Sequence, residues 1–403
     1  MRTVLLREWT PKTEHLTYSE LASVRTASKY VTVQLDPDVS DAYRLIPNNW
    51  VGTLVFDQLR ILIKPKVSMP NLFFLLGYGI GLARSSDLKF PYEDEPDLIR
   101  AMAWLFEREV SGAVPHGLAR DYVSMAEPLM TVRGRIDISR QIAARQGIAI
   151  PLECRFEEYT EDIALNRVLK AAHLQVLRLR DIDEQVRRRL RSWLRAFVDV
   201  EDRAFAPGDV PQHRFTRLDQ HWEHAGRLAE LILRHETLSD RQGTVQGMAF
   251  TIDMNRLFER FIETIVGEQA VSAGFRLIRQ ASRRLTDSTP MKPDLVLQAE
   301  GLDVAVGDAK YKRLDLADMP NADLYQLLAY CVSLGLKRGL LIYATHEEPS
   351  VEVVRRADIE LHVDGVDLSL QPDAMVSQAR RVADSLIDHA LHQRSDHQRV
   401  AIG

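Results

Sequence analysis

The stretch that decides the fold is Lys292–Lys310, KPDLVLQAEGLDVAVGDAK. It reads as two strands, Asp294–Gln298 and Asp303–Lys310, with the turn residues Glu300-Gly301 between them, hence an antiparallel hairpin. Side chains alternate along a strand, so Asp308 and Lys310, two apart, share a face. Asp294 stands 14 residues before Asp308 and, in register, meets it across the hairpin. Two carboxylates side by side repel at neutral pH unless a cation lies between them. Mg²⁺ suits such a site: it is hard, takes oxygen ligands, and uses one or two carboxylates plus substrate phosphate. The backbone carbonyl of Ala309 can add an oxygen. Lys310 then positions a water or stabilises charge on a phosphate. The chemistry implied is phosphodiester hydrolysis.

The elements on either side fit a compact α/β unit. A helix is expected over Asp253–Ser272, a strand over Phe275–Arg279, a helix over Ala322–Leu334, a strand over Gly339–Ala344 and a terminal helix over Pro372–His392. Glu259 falls on the first helix opposite the stripe Leu257, Phe258, Phe261, Ile262 and Ile265, and is a candidate additional or water-bridged metal contact. Gln326 and Tyr330 are four apart on the second helix, so they stack on one face and can hold Lys310 or a DNA phosphate.

Further towards the N-terminus the pattern changes twice. The first residues are mostly strand: Tyr30–Leu35 alternates, and Val51–Phe56 and Leu59–Ile63 flank Asp57-Gln58 as a hairpin would. The run Asn71–Ala83 is too short to span a bilayer and reads as a buried, helical element. A helix entered at Pro96 and running from Asp97, a β-like island at Leu129–Ile138 and helices over Ile163–Leu179 and Ile182–Val198 follow. The clearest loop is Ala206–Pro211. The expected division is a β-rich N-terminal adaptor domain over 1–95, a mainly helical middle region over 96–245 and an α/β domain over 246–403, a multidomain α+β chain.

Composition limits the classes. The 403 residues are 45% apolar and 27% charged, which excludes a disordered chain, and the net charge of −5 excludes a broadly basic nucleic-acid coat. The two cysteines, Cys154 and Cys331, cannot form a Cys-rich zinc site or a disulfide framework. The first residues, MRTVLLREWTPKTEH, lack the apolar core of a signal peptide, so the expected location is cytoplasmic, with no membrane contact.

Pro293-Asp294 with Asp308-Ala309-Lys310 resembles the PD-(D/E)xK nuclease signature, with Asp as the second acid, and Gln326 and Tyr330 resemble the QxxxY helix of its RecB-like subset. Asp253–Glu259 (DMNRLFE), Val132–Ile136 (VRGRI) and Tyr159–Asn166 (YTEDIALN) narrow the likeness. The whole resembles the McrC family, the nuclease subunit of McrBC modification-dependent restriction systems, over most of the chain and most strongly from Asp253 to Tyr330. The resemblance implies a restriction-endonuclease-like C-terminal domain that cuts double-stranded DNA with Mg²⁺. It also implies a front domain that docks on, and stimulates, a ring of McrB-like AAA+ GTPase. The chain lacks GxxxxGK[ST]; Gly77–Gly81 is Gly-rich but has no phosphate-binding lysine. Hydrolysis of nucleotide therefore falls to the partner. Two other readings stay open: a standalone Mg²⁺-dependent nuclease of repair or phage defence, and a non-catalytic activator of the ring.

Three further patterns are ambiguous. Arg187-Arg188-Arg189 with Arg191 and Arg195 could track a DNA backbone, or be a solvated face paired with Asp181, Asp183 and Glu184. His221-Trp222-Glu223-His224 has two histidines three apart but no HExxH pattern, which weighs against a metal. Arg283, Arg284 and Lys292 precede Asp294 closely enough to meet DNA phosphates.

Overall fold

The computed structural model describes residues 1–79, 98–145, 147, 150–179, 182–206, 208–235, 248–312, 321–345 and 348–402. The expected features at Ile80–Ala83, Pro96, Asp97, Asp181 and Pro207 lie outside them. The chain forms two compact units. One comprises Met1–Gly52, Asp57–Pro96 and Thr251–Gly403; the other comprises Thr53–Phe56 and Asp97–Phe250. No helix among the described residues is long and apolar enough to cross a membrane.

The first unit is built on a six-stranded mixed sheet. Its strands are β1 (Arg276–Arg279), β2 (Leu295–Ala299), β3 (Leu302–Lys310), β4 (Arg338–Tyr343), β5 (Ser350–Val354) and β6 (Ile359–Gly365), in the order β1-β2-β3-β4-β6-β5. β1, β2 and β3 are antiparallel neighbours, whereas β3, β4 and β6 run parallel. β5 and β6 lie between the last expected strand and the expected terminal helix. Ile359, Leu361 and Val363 alternate cleanly and are all buried, as strand periodicity requires.

Three helices cover this sheet: α1 (Met254–Ser272), α2 (Asn321–Leu334) and α3 (Pro372–Ile402). α1 starts where Asp253 caps it, its carboxylate accepting from the amides of Asn255 and Arg256. On the α2 face, Leu327, Tyr330 and Cys331 pack with Val296, Val306, Leu341, Tyr343, Leu361 and Val363. α1 and α3 lie on the opposite face, for Phe258 of α1 meets the ring of Tyr311 and His389 of α3 meets that of His362. Asp308 and Lys310 share parity with Val306, so they emerge on the α2 face at the carboxyl end of β3.

The front segment packs into this same unit. Arg2–Arg7 pairs in parallel with Leu59–Lys64, and Lys12–Glu14, Tyr43–Pro47 and Val31–Leu35 form a small antiparallel sheet. Asn71, in the helix Met69–Gly79, donates to the carbonyls of Leu368 and Leu370. Asn49 donates to the capping carboxylate of Asp253 at 2.6 Å. Glu8, fully buried, accepts from the hydroxyl of Tyr311 at 3.1 Å.

The second unit is helical with a sheet inserted. Its described helices are Leu98–Ala113, Ile138–Arg145, Ala164–Arg178, Glu184–Trp193 and Glu223–His235. The island expected at Leu129–Ile138 is only a fragment of the real sheet. Asp121–Leu129 and the two-residue strand Arg135–Ile136 both pair with Leu152–Thr160, and a helix begins at Ile138. Asp121–Leu129 escaped notice because its apolar residues fall in adjacent pairs rather than alternating and it carries Pro128; it is an edge strand, where proline is tolerated. The core centres on Trp222, Phe197, Phe106 and His173, all fully buried. His173 meets Phe106 edge-on and Phe197 at a tilt, and burial depresses its pKa to about 4.

Candidate active site

The hairpin forms as its alternation and turn residues require. Glu300 and Gly301 both adopt positive φ, 53° and 85°, the pair a tight two-residue turn needs. Leu295 pairs with Gly307 and Val296 with Val306, with one register shift after Leu297. One step further along, Asp294 stands opposite Asp308. The Asp294 carboxylate is fixed from two sides. Its Oδ2 accepts from the amide of Ala309 at 3.0 Å, and its Oδ1 accepts from Gln280 Nε2 at 2.6 Å. Lys310 Nζ lies 2.5 Å from Asp308 Oδ2.

Burial sets the electrostatics. Asp308 is 1% and Asp294 6% exposed. Desolvation, then the charge of Asp294, pushes the Asp308 carboxyl up to about 7 against the opposing pull of Lys310. Burial works against the Lys310 ammonium too, but Asp308 and Asp294 outweigh it and hold its pKa above the usual lysine value. Asp308 Oδ2 is buried and, although it has Lys310 as a charge partner, no donor is aligned for a hydrogen bond to it. A buried carboxylate oxygen in that state is costly unless a further positive group meets it. Two hard oxygen donors and an underused lone pair therefore fit a divalent cation.

The other expected site residues gather around this pair in different ways. Glu259 is half-buried, and its pKa is raised to about 7, first by burial and then by Asp294. Among the described residues no group of three or more His, Cys, Asp or Glu side chains comes together as a metal site. Glu259 thus feels the pair's charge without closing a three-acid cluster. Gln326 donates to the hydroxyl of Tyr330 at 2.7 Å, and burial followed by the charge of Asp308 raises the Tyr330 pKa. Both line a cavity of about 440 Å³ with Lys292, Met291 and Ala329.

Some residues the sequence reading missed. Gln280 follows β1 at positive φ, 46°, and the β1–β2 register, Arg279 opposite Leu295, brings it to Asp294. Only that long-range pairing could have revealed it. Asp323 of α2, 5% exposed, accepts from Lys312 at 3.1 Å and from the Tyr343 hydroxyl at 2.8 Å, so it anchors the chain just beyond Lys310.

The basic patterns sort out differently from one another. Arg283 is committed to Asp303 through two hydrogen bonds of 2.7 and 2.9 Å, and Arg284 donates to the carbonyl of Asp287. Arg187 donates to the carbonyls of Leu177 and Leu179, and Arg189 pairs with Glu107 at 3.6 Å. In the His-Trp-Glu-His run, Trp222 is core and donates to the Gly117 carbonyl, His221 meets the same carbonyl, and His224 pairs with Glu109. The two histidines are thus engaged by a backbone carbonyl and a carboxylate.

A family model described as the McrBC 5-methylcytosine restriction system component matches residues 45–344. The chain belongs to the McrBC family. A curated member from Escherichia coli (strain K12), a type IV methyl-directed restriction enzyme, EcoKMcrBC, is 18% identical over 302 residues, 70% of this chain and 86% of that protein. The fold also matches McrC bound to McrB AAA+ hexamers in a half-complex of a tetradecameric assembly from Thermococcus gammatolerans. There the TM-score is 0.57 at 19% identity, covering 95% of this chain and 100% of the other. The McrBC match spans parts of both units and includes Asp294, Asp308 and Lys310.

Proposed function

We propose that this chain is the DNA-cutting subunit of a McrBC-like restriction system, and that its C-terminal α/β domain is of the PD-(D/E)xK type. What carries this reading is the juxtaposition of Asp294, Asp308 and Lys310 on one hairpin, inside a chain that belongs to the McrBC family. Asp294 and Asp308, with the carbonyl of Ala309, would hold Mg²⁺. When bound, Mg²⁺ supplies Lewis-acid polarisation of the phosphodiester and neutralises its charge. The chain's own residues do the rest. Lys310, charged and tethered to Asp308, orients a water towards the phosphorus or stabilises negative charge on the phosphate oxygens. Gln280 and the Ala309 amide pin the Asp294 carboxylate, so no reorganisation is needed as the reaction proceeds. Glu259, with a pKa near neutrality, is suited to take or give a proton through a water at the edge of the site.

The partner in this reading is a McrB-like AAA+ GTPase, because this chain carries no GxxxxGK[ST] of its own. The helical unit bears apolar side chains in solvent: Tyr122 and Tyr159, paired across the sheet with ring centroids 5.1 Å apart, and Ile138 and Ile142 on the following helix. Exposed apolar groups of that size fit a protein partner.

The metal assignment has a direct test. Gln280→Ala frees one oxygen of Asp294, and losing such an outer support typically weakens metal affinity about 10–100-fold. DNA cleavage by the chain with its GTPase partner should then need about 10–100-fold more Mg²⁺ for half-maximal rate, with the saturated rate little changed. An unchanged Mg²⁺ requirement would argue that Asp294 does not hold the ion.

A further inference from the structure

A second cleft, of about 480 Å³, opens beside the end of β3. It is lined by four residues with nucleotide-binding chemistry: Arg7, Trp9, Lys66 and Lys312. Lys312 is two residues beyond Lys310, so their Cα atoms lie within about 7 Å of each other. Thr345 and Ser369 contribute hydroxyls to the wall. Among the described residues of the wall the carboxylate is Asp367, whose Oδ1 accepts from the amide and hydroxyl of Ser369. Arg7, Lys66 and Ser369 are exposed, as is Lys312 despite its pairing with Asp323.

Trp9 is held in this cleft against its own backbone preference. Its φ is +58°, in the left-handed region where a bulky aromatic is a genuine outlier. It occupies the turn closed by the amide of Thr10 on the carbonyl of Arg7, 3.0 Å, a place that usually takes Gly or Asn. The surroundings enforce it. Its indole N–H donates to Glu8 Oε1 at 3.0 Å, while Glu8 Oε2 accepts from the Lys66 amide and the Tyr311 hydroxyl. Yet the Trp9 side chain remains 44% exposed, with Lys66 Nζ 5.9 Å from the ring. Strain of this kind persists where surrounding structure over-determines it, and it marks functional positions. Here it presents an aromatic ring beside three cations.

We propose that this cleft holds one unpaired nucleotide of the DNA strand next to the scissile phosphate. The base stacks on Trp9, and its phosphate is met by Arg7, Lys66 and Lys312. Aromatic stacking with flanking cations is the general means of gripping a single strand without reading its sequence. The assignment deepens the nuclease reading and rests on it; a free nucleotide shares the same chemistry, so the test separates the two.

The test is fluorescence anisotropy on the full chain without divalent ions, using labelled 12-nucleotide single strands, the matching duplex, and GTP or dTMP as competitors. The single strand should bind more tightly than the duplex. Trp9→Ala should weaken it about tenfold or more, and Trp9→Phe, which keeps a ring, less than about threefold. Arg7→Gln with Lys66→Gln, confined to exposed side chains, should weaken binding and flatten its salt dependence by about two phosphate contacts. This double variant keeps the test valid should Trp9→Ala fail to fold. Wild-type affinity in both Trp9→Ala and the double variant would overturn the proposal, as would displacement of the strand by micromolar GTP or dTMP. Failure of the nuclease reading would look different: Asp308→Asn would still cut DNA, whatever the binding results.

Discussion

Asp308→Asn is expected to lower DNA cleavage on the order of 10³-fold, the scale seen when a preorganised charge-stabilising group is lost. Stimulation of the GTPase partner is expected to survive. The substitution keeps the shape of a side chain that is 1% exposed, so no cavity forms. It removes the charge that holds Lys310 at 2.5 Å and one of the two carboxylates proposed to bind the ion. The fold should not suffer. With no ion bound, burial and Asp294 already raise the Asp308 pKa to about 7, so its charge is a burden in the folded state above that pH. The sign follows from linkage. Between the ordinary carboxylate range and pH 7 the folded state binds more protons than the unfolded one, so stability falls as pH rises through that window. Asn carries no such burden, and the variant should melt no lower than the parent at pH 8 without divalent ions. Loss of GTPase stimulation together with retained cutting would refute this division of labour.

Trp222→Ala is expected to destabilise the helical unit by about 3–5 kcal/mol, the usual cost of deleting a fully buried large aromatic. Trp222 is completely buried, lies 6.1 Å from the Phe197 ring and donates its indole N–H to the Gly117 carbonyl at 2.9 Å. The variant leaves a void that a small shift cannot fill in a close-packed core, while the Gly117 carbonyl keeps its contact with His221. Chemical denaturation should move that transition to lower denaturant. A change within about 0.5 kcal/mol would mean that this run is peripheral.

The centre of the site was legible in the sequence because it is local. Alternation along β2 and β3 and the Glu300-Gly301 turn announce the hairpin, although it is the register shift after Leu297 that brings Asp294 opposite Asp308. Glu259 and Tyr330 were legible as well, but the supports that come from distant strands were not. Gln280 reaches Asp294 only through the β1–β2 pairing. Glu8 meets Tyr311 across 303 positions. No periodicity in Arg2–Arg7 announces that its continuation packs beside the end of β3. The inserted sheet of the helical unit was legible only in part, since its edge strand does not alternate and is interrupted by proline. By contrast, β6 carried a clear alternating signal that the reading did not follow. The His-Trp-Glu-His run shows the opposite hazard: its spacing invites a metal, while Trp222 is core and the histidines are taken up by the Gly117 carbonyl and Glu109.

Calorimetric titration of Mg²⁺ into the full-length chain and into Asp294→Asn tests the central claim most directly. The intact protein should bind the ion, and Asp294→Asn should lose at least tenfold in affinity while retaining its circular dichroism and melting temperature. Equal affinity in the two proteins, with DNA still cut, would place the ion elsewhere and remove Asp294 and Asp308 from the reaction.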